Sequence, residues 1–240
     1  MTTALLSPPA ITDATASTVA RLREVAEGRS GGRLEWHHPG PSAAFTRRDS
    51  RETGFAEAVD EARGRGFAPF IRPVGGRLAA YHDGALVLDL LARCEEPRAG
   101  VEERFRSVAS ALAHGMRQLG VDAHVGGLPG EYCPGEWSVH AAGRHKLVGT
   151  GQRLVRGALL FTAVIVVGDP EPLADVMVAA YGRLGVPMDP ATIGSVAQHA
   201  PGVSLGDVRD ALGEALARVL PLGGPNLVDG RAFHGAWDLR

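Results

Sequence analysis

The sequence predicts one α+β domain. At 240 residues, with 45% hydrophobic and 22% charged residues, the chain is long enough to bury a substantial core and has an ordinary globular composition. Strand-like segments cluster between helical ones without strict β-α-β alternation, which favours α+β over a doubly wound sheet. Neither an internal repeat nor a linker-like change of composition divides the chain, so a single domain is expected.

The N-terminal half predicts helices and short strands separated by glycine and proline turns. Residues 1–14 are expected to be flexible because they are rich in Pro, Ser and Thr. Apolar residues then recur at helical spacing up to Gly28, which predicts a first helix at 15–28. The remaining elements of this half are a strand at 34–37, a helix at 55–64, strands at 67–71, 78–81 and 85–91, and a long amphipathic helix at 101–119.

The C-terminal half predicts a β-meander followed by two helices. Glycine and proline segments join four apolar runs of strand length. The predicted strands are 121–125, 137–141, 147–155 and 159–167, and the predicted helices are 171–184 and 205–219. Residues 221–240 are expected to form a tail, which leaves 15–220 as the folded domain.

Composition argues against several classes of function. The formal net charge of −2 creates no global basic field, so a nucleic-acid partner is not indicated. The nine histidines show no metal-ligand spacing, and no metal site is predicted. No signal peptide is recognised, and the longest apolar stretch, 158–167, is too short to span a bilayer. Two cysteines do not form a disulfide framework, and a cytoplasmic protein without a membrane partner is expected.

Lys146 is the single lysine in a chain with 24 arginines. Lysine differs from arginine in that its compact ammonium shifts its pKa when desolvated. Lys146 follows a turn at Gly143, and Gly149 and Gly151 beyond it leave room for a ligand chain. A partly buried ammonium there could donate to a carbonyl or phosphate oxygen, with Arg153 adding a second positive charge. The alternative is an incidental lysine on a surface turn.

A second candidate is the segment around Gly75 and Gly76. The pattern predicts a strand, a turn at the two glycines and a second strand, and adjacent glycines let backbone amides approach an anion closely. Arg72 and Arg77 flank the turn and would suit a carboxylate or phosphate, while His82 is a candidate to shape the site. The alternative is an ordinary hairpin whose arginines lie in solvent.

Cys133 lies in a loop bracketed by Pro and Gly, just upstream of the lysine hairpin. It could form a thioester, since a nearby ammonium would lower the pKa of its thiol and raise its thiolate fraction. The alternative is a small apolar residue that fills a turn.

In this order, the segments resemble the biotin/lipoate protein ligase and acyltransferase superfamily, in particular its lipoate-protein ligase branch. Residues 71–82 resemble the family's Arg-Arg-x-x-Gly-Gly-Gly-Ala-Val-x-His segment. Residues 146–153 follow its Lys-Ile/Val-x-Gly-x-Ala-x-Arg motif closely. Residues around Trp36 and residues 193–204 resemble two further segments of the family more weakly. The resemblance covers roughly residues 15–220.

The resemblance implies an α/β (α+β) catalytic domain of the kind shared with class II aminoacyl-tRNA synthetases, with a mixed β-sheet, flanking helices and an acyl tunnel. Lys146 would contact the reacting carbonyl, and Arg72 would face a phosphate or carboxylate. Four glycines would line the acyl pocket and its channel: Gly75, Gly76, Gly149 and Gly151. The acceptor would be the lysine of a lipoyl carrier domain, in a 2-oxoacid dehydrogenase or the glycine cleavage system.

Three functions are compatible with these motifs. A lipoate-protein ligase would use ATP and Mg²⁺ to form an acyl-adenylate of lipoate or octanoate. An octanoyl or lipoyl transferase would need no cofactor and would carry the acyl group as a thioester on Cys133. A non-catalytic relative would only bind an acyl chain or a carrier. Ser138 replaces an aspartate that ligases often have before the lysine hairpin, and this replacement weakens the case for ATP.

Overall fold

A computed structural model describes residues 13–220, with side chains from residue 16 onward. The N-terminal residues 1–12 and the predicted tail at 221–240 lie outside the described residues. The first helix begins at Asp13, two residues earlier than the sequence pattern predicts.

All five predicted helices are present in the described chain. Their bounds are α1 Asp13–Ala26, α2 Phe55–Gly64, α3 Val101–Gln118, α4 Glu171–Leu184 and α5 Leu205–Ala217. Local chemistry explains two of the ends. Gly185 adopts a left-handed conformation with φ 66° and ends α4, while the Ser204 hydroxyl accepts a hydrogen bond from the Asp207 N–H at the start of α5. No helix in residues 13–220 is long and apolar enough to cross a membrane.

The predicted meander forms most of a six-stranded antiparallel sheet. The strands, all confirmed with small changes of bounds, are β1 Arg33–His37, β5 Ala85–Arg93, β6 Ala123–Val125, β7 Val139–Ala141, β8 His145–Val155 and β9 Ala158–Val166. Their order in the sheet is β1-β5-β9-β8-β7-β6. The turn between β7 and β8 contains Ala142 and Gly143, both with positive φ, and it places Lys146 near the start of β8 as expected.

A second sheet corrects the prediction for the Gly75–Gly76 segment. It contains β2 Ser42–Phe45, β3 Ala68–Ile71 and β4 Ala79–Tyr81 in the order β3-β2-β4. β2 pairs parallel with β3 and antiparallel with β4, so β3 and β4 are not a hairpin and residues 72–78 cross over from one edge to the other. β2 was not predicted, because four residues between Pro41 and Thr46 are too few to show a period.

Each sheet packs against helices and contributes its own part of the hydrophobic core. Alternate residues of β5 and β9 pack against α3 and α5, while the small sheet packs against α2 and α4. The opposite face of the large sheet turns toward the small sheet, leaving a cavity of about 510 Å³ between them. The α+β class is therefore confirmed, with an antiparallel large sheet and a mixed small one. The 72–78 crossover runs at the junction of these layers.

Candidate active site

The crossover, the loop before β7 and strand β8 meet at the sulfur of Cys133. The Arg77 backbone N–H donates to Sγ at 3.2 Å, and the Arg72 guanidinium donates to it through Nη2 at 3.3 Å. Gly76 permits this approach, since a Cβ built on Gly76 would lie 2.6 Å from Sγ. The structure thus brings the predicted Gly-Gly segment and the predicted cysteine into direct contact.

The backbone of Cys133 is held in a conformation that is uncommon for a residue other than glycine. Its φ is 43°, which costs on the order of 1–3 kcal/mol and persists only where surrounding contacts enforce it. One such contact is Tyr181: its hydroxyl accepts the Cys133 N–H at 2.8 Å and donates to the Leu78 carbonyl at 2.8 Å. Tyr181 therefore ties the cysteine loop to the end of the crossover.

Lys146 is buried, with 1% of its surface exposed, and its ammonium forms hydrogen bonds to the loop that carries Cys133. Nζ donates to the carbonyl oxygens of Tyr132 and Cys133 at 2.9 Å each, and it lies 3.4 Å from Oε1 of Glu131. An ammonium has three hydrogens, and three acceptors surround it. Nζ also lies 4.7 Å from the centre of the Tyr132 ring.

Glu131 completes a buried polar network under the cysteine loop. Its Oε1 accepts the Gly135 N–H and the Ser138 hydroxyl, both at 2.8 Å. Ser138, where the resemblance implies an aspartate in ligases, thus bonds to Glu131. A buried carboxylate is costly unless it is paired and hydrogen-bonded, and Glu131 has both Lys146 and these two donors. Its Oε2 is buried without a hydrogen-bond partner.

The pKa values of the thiol and the ammonium are both displaced downward. Burial acts to raise the pKa of Cys133, but Arg72, Lys146 and the Arg77 amide outweigh it, so the pKa lies below the ordinary thiol value. Burial lowers the pKa of Lys146, and the Cys133 sulfur and the Glu131 carboxylate oppose part of that shift. The predicted influence of an ammonium on the thiol is present, and Arg72 contributes more than Lys146.

A cavity of about 260 Å³ opens beside the sulfur. Its lining includes Cys133, Lys146, the glycines 75, 76 and 151, and the aromatic rings of Phe105 and Trp137. Gly149 lies behind the lysine, where a Cβ would be 3.5 Å from Cε of Lys146. The glycines singled out in the sequence thus border either the cavity or the lysine.

Three other predicted residues have different positions. The Arg77 side chain does not line this cavity, because it is ion-paired with Glu52 at 2.6 Å and Asp49 at 3.4 Å. Only the Arg77 backbone N–H contacts the sulfur. Arg153 donates to the Pro73 carbonyl at 3.0 Å. His82 lies in the turn after β4, where it contacts the Asp169 carbonyl and accepts the Gly84 N–H, and it does not line this cavity.

Sequence reasoning missed Glu131 and Tyr181. Glu131 stands two residues before Cys133 inside the loop already singled out, so a search for a carboxylate partner of the lone lysine could have found it. Tyr181 lies 48 residues after Cys133 on α4, and no local pattern connects the two. Its role depends on how α4 packs beneath the small sheet.

Residues 24–217 match the family of lipoyl protein ligase A/B catalytic domains. The chain belongs to this family. It is 33% identical to the octanoyltransferase LipM of Kyrpidia tusciae in an alignment 160 positions long that covers 59% of this chain and 56% of the relative. It is 23% identical to an octanoyl-[GcvH]:protein N-octanoyltransferase of Geobacillus kaustophilus over 129 residues, 54% of this chain and 45% of the relative. The chain thus spans about half the length of these curated relatives.

The fold extends to solved lipoate ligases. A bipartite lipoate protein ligase from Thermoplasma acidophilum, studied with its E2 lipoyl domain, superposes with a TM-score of 0.63 at 19% identity, covering 89% of this chain and 80% of that one. Ligase-like and octanoyltransferase-like proteins are both among the relatives, as the resemblance implied.

Proposed function

We propose that this protein is an octanoyl or lipoyl transferase that carries the acyl group as a thioester on Cys133 and delivers it to the lysine of a lipoyl carrier domain. The observation that carries the proposal is the environment of the sulfur. Two N–H donors point at Sγ and two buried or half-buried cations lower the pKa of the thiol, which favours the nucleophilic thiolate. Octanoyltransferases among the relatives support the same choice.

The first step forms the acyl-enzyme. The Cys133 thiolate attacks the carbonyl carbon of an acyl thioester donor, a new C–S bond forms, and the C–S bond to the donor breaks. The donor leaves as a thiolate and takes a proton from water. The cavity of about 260 Å³ beside Sγ, with Phe105 and Trp137 in its lining, provides an apolar wall for the acyl chain.

The second step transfers the acyl group to the carrier. The neutral ε-amine of the carrier lysine attacks the Cys133 thioester, a C–N bond forms, and the C–S bond breaks. The amine's surplus proton passes to solvent, and the thiolate is regenerated. The Arg72 and Arg77 donors assist this step because they stabilise the departing sulfur. Lys146 and Glu131 hold the loop that carries it.

The ligase function would require ATP and Mg²⁺. Among residues 13–220, no group of three or more His, Cys, Asp or Glu side chains could hold a metal ion. Neither step of the proposed reaction uses a metal. The carrier is proposed to be a lipoyl domain, since the Thermoplasma acidophilum ligase was studied with its E2 lipoyl domain. The octanoyl-[GcvH] in the name of the Geobacillus kaustophilus relative supports a glycine-cleavage carrier as a further partner.

The experiment offers apo carrier domain and either an octanoyl thioester donor without ATP, or lipoate with ATP and Mg²⁺, and follows the carrier mass. Transfer from the thioester that is lost in Cys133→Ala and retained in Cys94→Ala supports the proposal, since Cys94 is a buried core thiol. ATP-dependent transfer that survives Cys133→Ala would show a ligase instead. Acyl binding without any mass change would show a non-catalytic relative.

A further inference from the structure

Two histidines are in direct contact beside Lys146. His145 is the first residue of β8, and its Nδ1 lies 2.9 Å from Nε2 of His199, with the two ring centres 5.1 Å apart. His199 follows a short 3₁₀ helix, Val196–Gln198, in the segment that connects α4 to α5. The contact therefore joins the strand of the buried lysine to a residue 54 positions further along the chain.

The connecting segment, residues 185–204, lies against both the loop of the reactive cysteine and β8. In this segment, the Asp189 N–H donates to the carbonyl of Gly130, a residue of the cysteine loop, at 2.7 Å. Ile193 forms a parallel β-bridge with Lys146. The segment thus contacts the cysteine loop directly and also contacts the lysine whose ammonium hydrogen-bonds to that loop.

The histidine contact lies where the segment packs closely on the start of β8. A Cβ built on Gly194 would clash with Cβ of His145, so the backbone of the segment approaches β8 as closely as a glycine allows. Val196 is fully buried, and the next residue, Ala197, donates its N–H to the Val167 carbonyl at 2.9 Å. The contact between the two rings adds a side-chain hydrogen bond to this packing.

The contact requires at least one neutral imidazole. A neutral imidazole has one N–H donor and one acceptor nitrogen, whereas a protonated imidazole has donors at both nitrogens. Ring nitrogens 2.9 Å apart therefore form a hydrogen bond when neither ring or one ring is protonated. When both rings are protonated, N–H faces N–H, and the two cations repel each other.

The surroundings of the pair oppose its protonation. Burial lowers the pKa of His145, and the Arg144 guanidinium lowers it further. Burial also lowers the pKa of His199, as do His145 and Arg144, while Asp122 opposes part of this shift. Arg144 lies in the turn before β8 and Asp122 lies before β6, and these are the charged side chains that act on the pair.

We propose that His145 and His199 are a pH-sensitive pair of positioning residues, which hold the 185–204 segment against β8 and release it when both rings are protonated. This inference rests on the proposed function, because release would loosen Lys146 and the cysteine loop and so slow acyl transfer. Since both pKa values lie below the ordinary histidine value of about 6.5, the pair is closed at neutral pH and opens only as the pH falls below that value.

The test follows acyl transfer from about pH 5 to about pH 8, the range in which histidines titrate. It compares the wild type with His199→Gln, because a glutamine side chain can still hydrogen-bond to His145 but does not titrate. The matched control is His114→Gln on α3, outside both the pair and the 185–204 segment. The Cys133 thiol and the acceptor amine also titrate, so each rate is expressed as the ratio of variant to wild type at the same pH.

The ratio for His199→Gln should be about 1 at about pH 7.5 and should rise as the pH falls, approaching about tenfold per pH unit below the pKa of the second protonation. The ratio for His114→Gln should not change with pH. His199→Ala removes the partner of His145 and should transfer slowly even at neutral pH. A constant ratio for His199→Gln, an equal rise for His114→Gln, or a normal rate for His199→Ala at neutral pH would overturn the proposal.

Hydrogen exchange separates this inference from the proposed function, because it needs no acyl transfer. In the wild type, the amides of residues 190–199 should lose protection between about pH 7.5 and about pH 5.5, relative to those of α3 and after correction for the intrinsic pH dependence of exchange. The same amides should stay protected in His199→Gln. Unchanged protection in the wild type would refute the release, whatever the outcome of the transfer assay.

Alkylation of Cys133 by iodoacetamide replaces transfer in the same ratios if the protein uses no acyl donor at any pH. Lys146 contributes to the lowered pKa of the thiol, so a loosened Lys146 should slow alkylation in the wild type but not in His199→Gln. Loss of protection at residues 190–199 without any change in these ratios would show that the pair does not position the site.

Discussion

Gly76→Ala is the substitution with the clearest expected effect on the Cys133 site. Gly76 has φ 101°, and the added Cβ would lie 2.6 Å from Sγ of Cys133 and 2.8 Å from Nη2 of Arg72. Ordinary contacts are about 3.5–4.0 Å, so the sulfur and the guanidinium must move by about 1 Å. The positive φ adds a backbone cost on the order of 1–3 kcal/mol.

These displacements should lower the rate of acyl transfer as well as the stability of the protein. A misplacement of about 1 Å can cost on the order of 10²-fold in rate, equivalent to roughly 2.7 kcal/mol of barrier. The sulfur should also lose its two N–H donors, so the pKa of the Cys133 thiol should rise. We therefore expect acyl transfer to fall about 100-fold and alkylation of Cys133 to need higher pH.

Gly75→Ala is the matched control for thiol chemistry. No atom lies within 4 Å of a Cβ built on Gly75, and its φ is not in the positive region. Iodoacetamide alkylation of Cys133, followed by mass across a pH series, should match the wild type in this variant, and thermal unfolding should shift less than in Gly76→Ala. Wild-type alkylation and transfer in a folded Gly76→Ala protein would refute the described packing around the sulfur.

The remaining predictions concern the network around the loop. Because the pKa of Cys133 is lowered, alkylation should stay fast below the usual thiol range and decline only as pH falls through the lowered pKa; Arg72→Gln should move that decline to higher pH. Glu131→Gln should lower the free energy of unfolding, measured in urea at neutral pH, by about 3–5 kcal/mol, because it leaves the Lys146 ammonium buried without its carboxylate. The loss should be smaller at alkaline pH, where Lys146, whose pKa is lowered, becomes neutral. The double variant Glu131→Leu/Lys146→Met should regain most of this stability but not acyl transfer. Lys146→Arg should lose most of its acyl-transfer activity, because the buried site has no room for the larger, planar guanidinium group. A normal transfer rate in this variant would contradict the prediction. Tyr181→Phe should lose about 2 kcal/mol and slow transfer at unchanged donor KM.

The sequence predicted the elements that carry a long or regular signal. The five helices and the β6-to-β9 meander each have a repeating apolar period over many residues or a clear glycine boundary, so their existence follows from local chemistry. β2 has neither signal and was not predicted. Without β2, residues 72–78 were predicted to be the turn of a hairpin, whereas they cross from one edge of the small sheet to the other. One missed four-residue strand therefore changed the expected topology around Gly75 and Gly76.

The candidate site divides in the same way. Residue type and spacing identified Lys146, Cys133 and Gly76, because an isolated ammonium, a loop thiol and paired glycines each have distinctive chemistry. Their contacts could not be predicted. The expected contact of Lys146 with a reacting carbonyl stays a prediction, and the sequence did not predict that its ammonium would also contact the Tyr132 and Cys133 carbonyls and Glu131.

By itself, the sequence determined the family, the α+β class and the residues with unusual chemistry, since these are recorded in composition, period and motif. Only the tertiary structure decided what those residues do for one another. Tyr181, Arg72 and the Arg77 amide reach Cys133 across 48, 61 and 56 positions of the chain. Such contacts arise from how two sheets and α4 pack together, and packing at that separation leaves no local pattern in the sequence.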